Sequence, residues 1–344
     1  MSFESIRGQD HGVEVLKRAL GRNRLHHAYL FAGPLGVGKE RTARAFASAL
    51  LCVQPTADKL ACNVCHACRR LAEGQHPDFH LVERLEKNDG GTERFIKIAQ
   101  IRALQRSLSF KAYEGERRVV LILEPEHMTE STSNALLKTL EEPGQQTHFI
   151  LVSAGVHRLL PTIISRCQRV RFGPLKSEHI IHLLQQSGVH DLDLMETVAR
   201  LSEGSVGRAL MMLEEDIVPL RGQILAALDA DKNQPLSEAL DLAEDLAKPA
   251  QRKRLKQAFH ILRTWYRDLL VVKMGGERRQ LLNIDEHARL TNRADGLSAK
   301  VIQERLKRTG EAEVAIWERM ANTRLVLESL FVFLAGRVPM ELSQ

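Results

Sequence analysis

Three short apolar runs mark the first half of the chain, at residues 28–32, 119–123 and 149–153. Each is bounded by polar or glycine-bearing stretches and is predicted to be a strand. Apolar strands of this kind are typical of a parallel sheet that is buried on both faces. Two further short strands are predicted at 78–82 and 169–172.

Apolar residues at helical spacing fill the gaps between these strands, for example over residues 98–108 and 131–142. Residues 3–25 have the same spacing and are predicted to be helical and amphipathic, with the helix ending near Gly21. Strands that alternate with helices predict an α/β domain with a parallel sheet. Gly173 and Pro174 are a linker signal, and the pattern after them is helical to the end of the chain.

The stretch that follows the first strand is Gly33-Pro34-Leu35-Gly36-Val37-Gly38-Lys39-Glu40. A strand, a glycine-rich loop and a helix in this order are the context of a phosphate-binding loop. Gly33, Gly36 and Gly38 let backbone N–H groups point at an anion, and the helix N-terminus adds partial positive charge. Lys39 is placed to meet the outer phosphates. These residues therefore predict a nucleotide site.

The last position of this loop departs from the pattern. A loop that supports nucleotide hydrolysis has Ser or Thr there to hold magnesium, whereas this chain has Glu40. A carboxylate repels phosphate: two unit charges about 4 Å apart interact by roughly 4 kcal/mol at an effective dielectric of about 20. Even if this repulsion is discounted by half, it weakens nucleotide binding by more than roughly tenfold. We expect ATP or ADP binding at this loop to be weak or absent.

Four cysteines follow the helix after the loop, at Cys52, Cys62, Cys65 and Cys68. The C-x2-C spacing lets two thiolates reach one metal across a tight turn, and a tetrahedral zinc takes four thiolates. Four protein ligands leave no open position for water, so we predict a structural zinc site. The alternative is that four small buried hydrophobic side chains happen to cluster.

Composition adds few constraints. The chain has 344 residues and a net charge of +6, which fits a solvated surface as well as contacts with nucleic acid or an acidic partner. No apolar run is long enough to span a membrane, and the N-terminus has no basic segment leading into an apolar stretch. We expect a cytoplasmic protein without membrane contact, whose cysteines bind metal and form no disulfides.

Further motifs lie in the second half of the predicted α/β domain: Asn134-Ala135-Leu136-Leu137-Lys138, Glu141-Glu142-Pro143 and Ser165-Arg166-Cys167. Together with the phosphate loop and the four-cysteine insert, they resemble the subunits of bacterial DNA polymerase III clamp loaders. The resemblance covers the whole chain and is strongest over residues 1–173.

This resemblance implies a fold and a domain plan. Residues 1–173 would form an α/β AAA+ module, with a RecA-like parallel sheet, flanking helices and a zinc-binding insert at 52–68. A small helical lid would follow over 174–216. An all-α collar, which joins subunits into a ring, would occupy 217–344.

Two kinds of subunit in that family fit the pattern: the tau/gamma ATPase, and the delta prime subunit, which often cannot hydrolyse ATP. In the ATPase, the strand before the Asn-Ala-Leu-Leu motif ends in Asp-Glu; the Asp supports magnesium and the Glu polarises the attacking water. Alignment on that motif places Leu123 at the Asp position and Glu124 at the Glu position. Glu40 and Leu123 therefore replace both magnesium-supporting side chains, which favours the delta prime kind.

The resemblance also implies roles for two arginines. Ser165-Arg166-Cys167 matches the arginine-finger motif, so Arg166 is predicted to complete the nucleotide site of a neighbouring subunit in trans. The alternative for Arg166 is a plain surface residue after a helix. Arg208 lies where family ATPases have a lid arginine that senses nucleotide, and it fits equally well a role in holding the lid to the core.

A basic run, Gln251-Arg252-Lys253-Arg254-Leu255-Lys256, lies in a predicted helix. Its two interpretations are a solvated helix face and a contact with DNA or a partner. Trp265, Tyr266 and Trp317 fall in helical patterns and are predicted to lie in a helical core or a subunit interface.

The resemblance thus implies a delta prime type of subunit in a ring of five, with tau/gamma and delta subunits as neighbours. Such a subunit helps to load the sliding clamp onto primed DNA without hydrolysing ATP itself. A first alternative is a competent ATPase of the tau/gamma type. A second is a zinc-ribbon nucleic-acid-binding protein on a degenerate phosphate-loop fold, for which DNA binding should depend steeply on salt.

Overall fold

A parallel sheet of five strands forms in the part of the chain that the structure describes, residues 2–86, 93–144, 146–229 and 236–336. The structure is a computed structural model. The strands are β1 (Ala28–Ala32), β2 (Phe79–Val82), β3 (Arg118–Leu123), β4 (Thr147–Ser153) and β5 (Gln168–Arg171). Their order is β2-β3-β4-β1-β5, and each neighbouring pair is parallel. The predicted parallel sheet is confirmed.

Helices connect and cover these strands: α1 (Asp10–Gly21), α2 (Lys39–Leu51), α3 (His66–Ala72), α4 (Ile98–Leu108), α5 (Glu130–Glu141) and α6 (Pro161–Ile164). Short 3-10 turns lie at Phe3–Ser5, Pro125–His127 and Val156–Arg158. The α/β alternation that the sequence predicts is therefore present, with helices on the faces of the sheet.

The central strand β1 shows why its sequence is apolar throughout. Tyr29 and Phe31 belong to a hydrophobic cluster that includes residues of α1 and α2. Ala28 and Leu30 belong to a second cluster, which includes residues of α4 and α5. Successive side chains of a strand point to opposite faces, so a strand with helices on both sides has no polar face.

One local prediction needs correction, and one helix was not predicted. The segment 3–25 is not one helix, because α1 begins only at Asp10 and a 3-10 turn precedes it. Gly8 lies between them with a φ angle of +69°, which is incompatible with a right-handed helix. In addition, the cysteine segment contains the helix α3, which the sequence pattern did not predict because seven residues are too few for a clear periodicity.

The described chain after β5 is helical, as predicted. Its helices are α7 (Ser177–Gln186), α8 (Leu192–Leu201), α9 (Val206–Glu214), α10 (Ile217–Asp229), α11 (Ser237–Ala247), α12 (Arg252–Lys273), α13 (His287–Asp295), α14 (Ala299–Trp317) and α15 (Thr323–Leu334). Trp265 and Tyr266 of α12 are buried, in agreement with their predicted place in a helical core. None of the described helices is both long and apolar enough to cross a membrane.

The contacts divide the chain into two units. The first is Met1–His179 with Gly204–Gly207, and the second is Ile180–Glu203 with Arg208–Gln344. The domain limits expected from the sequence, 1–173, 174–216 and 217–344, stay predictions. Part of the last of these, at 230–235 and 337–344, lies outside the described residues.

Candidate functional site

The phosphate-loop sequence lies between the end of β1 and the start of α2. Gly36 and Gly38 have φ angles of +73° and +96°, a region that glycine enters without steric cost. A Cβ atom at Gly33 would lie 2.2 Å from the carbonyl oxygen of Phe172. Each of the three predicted glycines is therefore required by the backbone, and the loop has the curled shape that the sequence predicts.

Lys39 is turned into its own loop. Its Nζ donates to the carbonyl oxygens of Gly33, at 2.8 Å, and Pro34, at 2.5 Å, and the residue is only 5% exposed. Burial lowers the pKa of Lys39 to about 8, although the carboxylates of Glu126 and Glu124 oppose this shift. The ammonium group must exchange these carbonyl oxygens for phosphate oxygens before it can bind a nucleotide.

Gly36 packs against the turn at residues 204–207, which belongs to the same unit. The backbone N–H of Gly207 donates to the Gly36 carbonyl oxygen at 3.1 Å. A Cβ atom at Gly36 would lie 2.3 Å from the Oγ of Ser205. The middle of the phosphate loop is therefore held by contacts within the first unit.

Gln9 holds the end of the same loop, a role that the sequence did not reveal. Its side-chain amide donates to the carbonyl oxygens of Val37, at 3.1 Å, and Gly173, at 2.8 Å. It also accepts the N–H of Gly173, at 3.2 Å. The one available signal was a polar residue directly before an amphipathic helix, which is buried here and does not cap that helix.

The residues at the predicted magnesium positions have other partners. Glu40 forms an ion pair with Arg44, with 2.8 Å between Oε1 and Nε, and its side chain is 47% exposed. Leu123 packs against the hydrophobic cluster beside α2. Glu124 has a φ angle of +51° and pairs with Arg84, with 2.8 Å between Oε2 and Nε. Pairing with Arg44 reduces the repulsion between Glu40 and phosphate that the sequence alone suggests.

Glu126 is a second residue that sequence reasoning missed. Its Oε1 accepts the backbone N–H groups of Ala154, at 2.9 Å, and Gly155, at 3.0 Å. Burial raises the pKa of Glu126, but hydrogen bonds from its own backbone, Ser153, Ala154 and Gly155 outweigh this effect and lower it. The charged carboxylate thus ties the segment after β3 to the end of β4 and contributes to the field at Lys39.

The four predicted metal ligands come together. Cys52 lies at the end of α2, while Cys65 and Cys68 lie at the start of α3. The Sγ of Cys52 lies 3.6 Å from that of Cys62 and 3.9 Å from that of Cys65, and all four sulfurs lie within 4.8 Å of one another. These four thiol groups could hold one metal ion.

Backbone N–H groups favour thiolates at Cys62 and Cys65, whereas burial raises the pKa of Cys52 to about 12. The N–H of Cys65 donates to the sulfur of Cys62 at 3.3 Å, and the N–H of Cys68 donates to the sulfur of Cys65 at 3.5 Å. Hydrogen bonds from the N–H groups of Val64 and Cys65 lower the pKa of Cys62 to about 6. The fifth cysteine, Cys167, packs against the hydrophobic cluster beside α5 and is not part of this group.

Arg166 follows α6 at the surface of the first unit. Its Nη2 donates to the Oε1 of Glu141 at 2.5 Å, and its Nη1 donates to the carbonyl oxygen of Thr162 at 2.8 Å. The Arg166 side chain is 34% exposed and that of Glu141 is 49% exposed. The guanidinium is thus accessible but held in place, and Glu141 is a partner that the sequence did not identify.

Arg208 lies in α9, in the second unit. Its Nη1 donates to the Oε2 of Glu203 at 2.8 Å and to the carbonyl oxygen of Ser202 at 3.4 Å. The Nε2 of His260, in α12, lies 2.5 Å from the carbonyl oxygen of Leu201. Burial lowers the pKa of His260 to about 4, and the charge of Arg208 adds to this effect. Arg208 therefore takes part in the packing of the second unit.

The basic run at 251–256 makes contacts within the second unit. The guanidinium of Arg252 and the ammonium of Lys256 lie 5.0 Å and 5.4 Å from the ring centroid of Trp317. The Nζ of Lys253 lies 3.7 Å from the Oε2 of Glu214. These cation–π and ion-pair contacts account for three of the basic side chains without a nucleic acid.

Two family models match the chain. The model for the DNA polymerase III delta subunit matches residues 8–176. The model for the C-terminal part of the DNA polymerase III delta subunit matches residues 216–333. The two matches together cover both the α/β part and most of the helical part.

Known proteins with similar sequences agree with these matches. DNA polymerase III subunit delta′ of Bacillus subtilis is 30% identical over 283 residues, which are 80% of this chain and 83% of that protein. Subunit delta′ of Pseudomonas aeruginosa is 36% identical over 225 residues, or 65% of this chain and 66% of that protein. Subunit tau of Escherichia coli is 31% identical over 252 residues, which are 70% of this chain but 38% of tau.

Proposed function

Because the chain belongs to the DNA polymerase III delta subunit family, we propose that it acts as a delta′ subunit of a multi-subunit clamp loader. In this role it helps to place the sliding clamp on primed DNA during replication. The observation that carries the proposal is the Glu40–Arg44 ion pair at an otherwise complete phosphate loop. A loop with that side chain retains its shape but lacks the hydroxyl that holds magnesium.

The tau/gamma type of ATPase is the first alternative. It would need magnesium supports at Glu40 and Leu123, and Leu123 has no ligand atom. The delta′ relatives are also matched over a larger share of their length than tau is. These observations favour a subunit without ATPase activity of its own.

We propose three domains with different tasks. Residues 1–173 form the AAA+ module, 174–216 the lid and 217–344 the collar that joins neighbouring subunits. The proposed neighbours are tau/gamma and delta subunits in a ring of five, in the cytoplasm. Within that ring, Arg166 acts as an arginine finger on the ATP of a neighbouring subunit.

We propose zinc as the metal of the four-cysteine cluster, Cys52, Cys62, Cys65 and Cys68. Tetrahedral zinc with Zn–S bonds of about 2.3 Å places its sulfur ligands about 3.8 Å apart. The Sγ of Cys52 lies 3.6 Å from that of Cys62 and 3.9 Å from that of Cys65, close to that value, and all four sulfurs lie within 4.8 Å of one another. With four protein ligands, the ion would stabilise the joint between α2 and α3 and would have no position for a substrate.

Reconstitution tests this function. The chain is combined with purified tau/gamma and delta subunits, sliding clamp, primed DNA and ATP, and clamp loading is measured with and without it. We expect loading to require the chain, and a Lys39→Ala chain that keeps its thermal stability to load clamps at the unmodified rate. Loading without the chain, or ATP turnover by the chain alone that Lys39→Ala abolishes, contradicts the proposal.

The second alternative, a nucleic-acid-binding protein, has its own test. Binding of the isolated chain to labelled primed DNA is measured over a range of salt concentrations. Tight binding with a steep salt slope would favour this alternative. Weak binding agrees with the contacts that Arg252, Lys253 and Lys256 make within the second unit.

A further inference from the structure

The guanidinium of Arg166 is held at two points by its own chain. One hydrogen bond joins it to the Glu141 carboxylate, at the last position of α5, and the other joins it to the Thr162 carbonyl oxygen in α6. Because both charged side chains are partly exposed, another molecule can reach the guanidinium while Glu141 remains in contact with it.

The backbone on both sides of this pair is fixed by the core. Leu140, next to Glu141, and Ile163, near Arg166, are fully or almost fully buried and belong to one hydrophobic cluster. Cys167 packs against the same cluster. The backbone near each charged side chain is therefore anchored by buried neighbours: Glu141 ends α5, and Arg166 lies in the short turn between α6 and β5.

The contacts leave part of the guanidinium unused. An arginine side chain has five N–H donors in a planar fork. Among the described residues, the Glu141 and Thr162 hydrogen bonds use two of them, which leaves three for phosphate oxygens. A carboxylate on one side of a guanidinium fixes its plane and leaves the other side available for a second anion.

We propose that Glu141 is a positioning residue for Arg166: it holds the guanidinium plane so that the remaining donors face a phosphate bound to a neighbouring subunit. This inference rests on the proposed action of Arg166 in trans. Exposed ion pairs contribute little to folding stability. Loss of the Glu141 carboxylate therefore changes the orientation of Arg166 and leaves the fold and the assembly of the ring as they are.

The test uses the reconstituted clamp loader with sliding clamp and primed DNA. ATP hydrolysis is followed before the steady state, so that the ATP sites of the ring can be observed as separate kinetic phases. For Glu141→Ala we expect the rate of one hydrolytic phase to fall about tenfold, because misplaced catalytic groups lose rate steeply, while nucleotide affinity stays unchanged. Glu141→Gln keeps an acceptor for Nη2, so its rate in this phase should lie between the rates of the unmodified and the Glu141→Ala complexes. Glu142→Ala is the matched control, since this exposed neighbour makes no ion pair among the described residues.

A double-mutant cycle identifies the cause of any loss. In an Arg166→Ala chain, the further change Glu141→Ala should have no effect, whereas independent losses would show that Glu141 acts by another route. If Arg166→Ala slows one phase but Glu141→Ala behaves like Glu142→Ala, the inference about Glu141 is wrong and the proposed function stands. If Arg166→Ala changes nothing, the action of Arg166 in trans is wrong, and the role of Glu141 is lost with it.

Discussion

The Glu40 carboxylate lies 2.8 Å from the Nε of Arg44, one helical turn along α2. An i,i+4 pair of this kind stabilises a helix by only about 0.3–0.5 kcal/mol. Its main consequence is therefore local: a partly neutralised carboxylate takes the place of the hydroxyl that would hold magnesium. The loop keeps its glycines and Lys39, so it retains the shape of a phosphate loop although Glu40 offers no hydroxyl for magnesium.

The first prediction concerns Glu40→Thr, which supplies the missing hydroxyl. We expect nucleotide affinity to rise by less than about tenfold, because Arg44 already offsets part of the repulsion. ATP hydrolysis should stay negligible, because Leu123 still offers no ligand for magnesium. Binding of a fluorescent ATP analogue and release of phosphate measure the two effects.

Glu14→Thr is the matched control, because Glu14 forms the same i,i+4 pair with Arg18 in α1. It should change neither nucleotide affinity nor turnover. ATP turnover by the unmodified chain, or by the Glu40→Thr chain alone, would show that the missing magnesium supports do not decide the activity.

The second prediction concerns the four-cysteine cluster. Protein purified without chelator should contain about one equivalent of zinc, because a site of four thiolates binds the ion tightly. Cys65→Ala should lose the metal and lower the melting temperature, since the free energy of metal binding contributes to folding. Cys167→Ala removes a thiol outside the cluster and should retain the zinc. Metal-free native protein, or a Cys65→Ala chain with full zinc content, would exclude this site.

Local patterns predicted the elements better than the contacts between them. The bounds of β1 and α4 agree with the sequence, because apolar runs and helical spacing are properties of neighbouring residues. The four cysteines could also be grouped, because metal-ligand spacing is a local pattern. The i,i+4 spacing of Glu40 and Arg44 was a signal of the same kind, and it corrects the repulsion calculated from Glu40 alone.

Contacts between distant residues left no such signal. Gln9 and Gly173 are 164 positions apart, and Glu141 and Arg166 are 25 apart. Whether two such side chains meet depends on the strand order and on how the helices pack. A single sequence does not encode either as a periodic pattern, so the residues that hold the loop and Arg166 became visible only in the folded chain.

The third prediction is that the protein loses stability in acid because His260 becomes protonated on unfolding. Burial lowers the pKa of His260 to about 4, whereas an unfolded histidine has a pKa of about 6.5. The unfolded state therefore binds the proton more tightly, and stability falls as the pH decreases from about 6.5 towards 4. One such group accounts for at most about 3 kcal/mol across this window.

Urea unfolding followed by tryptophan fluorescence measures this effect. The two tryptophans of the chain, Trp265 and Trp317, both lie in the second unit with His260. His260→Gln keeps an N–H donor for the Leu201 carbonyl oxygen and removes the titrating ring, so its unfolding midpoint should depend less on pH between 6.5 and 4.5. His190→Gln, at an exposed histidine, is the control. Equal pH dependence in the two variants would assign the acid sensitivity to other groups.

The fourth prediction concerns Arg166 itself. Arg166→Ala should leave the fold and the ring intact, because the Glu141 carboxylate that loses its partner is 49% exposed and can be hydrated. In the reconstituted complex, ATP hydrolysis at one interface should fall about a thousandfold or more, which is the range for loss of an arginine finger. Pre-steady-state phosphate release with clamp and primed DNA measures this change.

Arg166→Lys separates charge from shape. Lysine can still pair with Glu141, but its ammonium lacks the planar fork that binds two phosphate oxygens at once. We therefore expect it to restore only part of the lost rate. Arg169→Ala is the matched control, because it removes the same charge from a nearby exposed position in β5. A complex with this variant should hydrolyse ATP at the normal rate. If the Arg166→Lys complex is fully active, the positive charge alone is sufficient. If the Arg166→Ala complex is fully active too, Arg166 has no part in hydrolysis, and its contact with Glu141 is only a surface ion pair of the first unit.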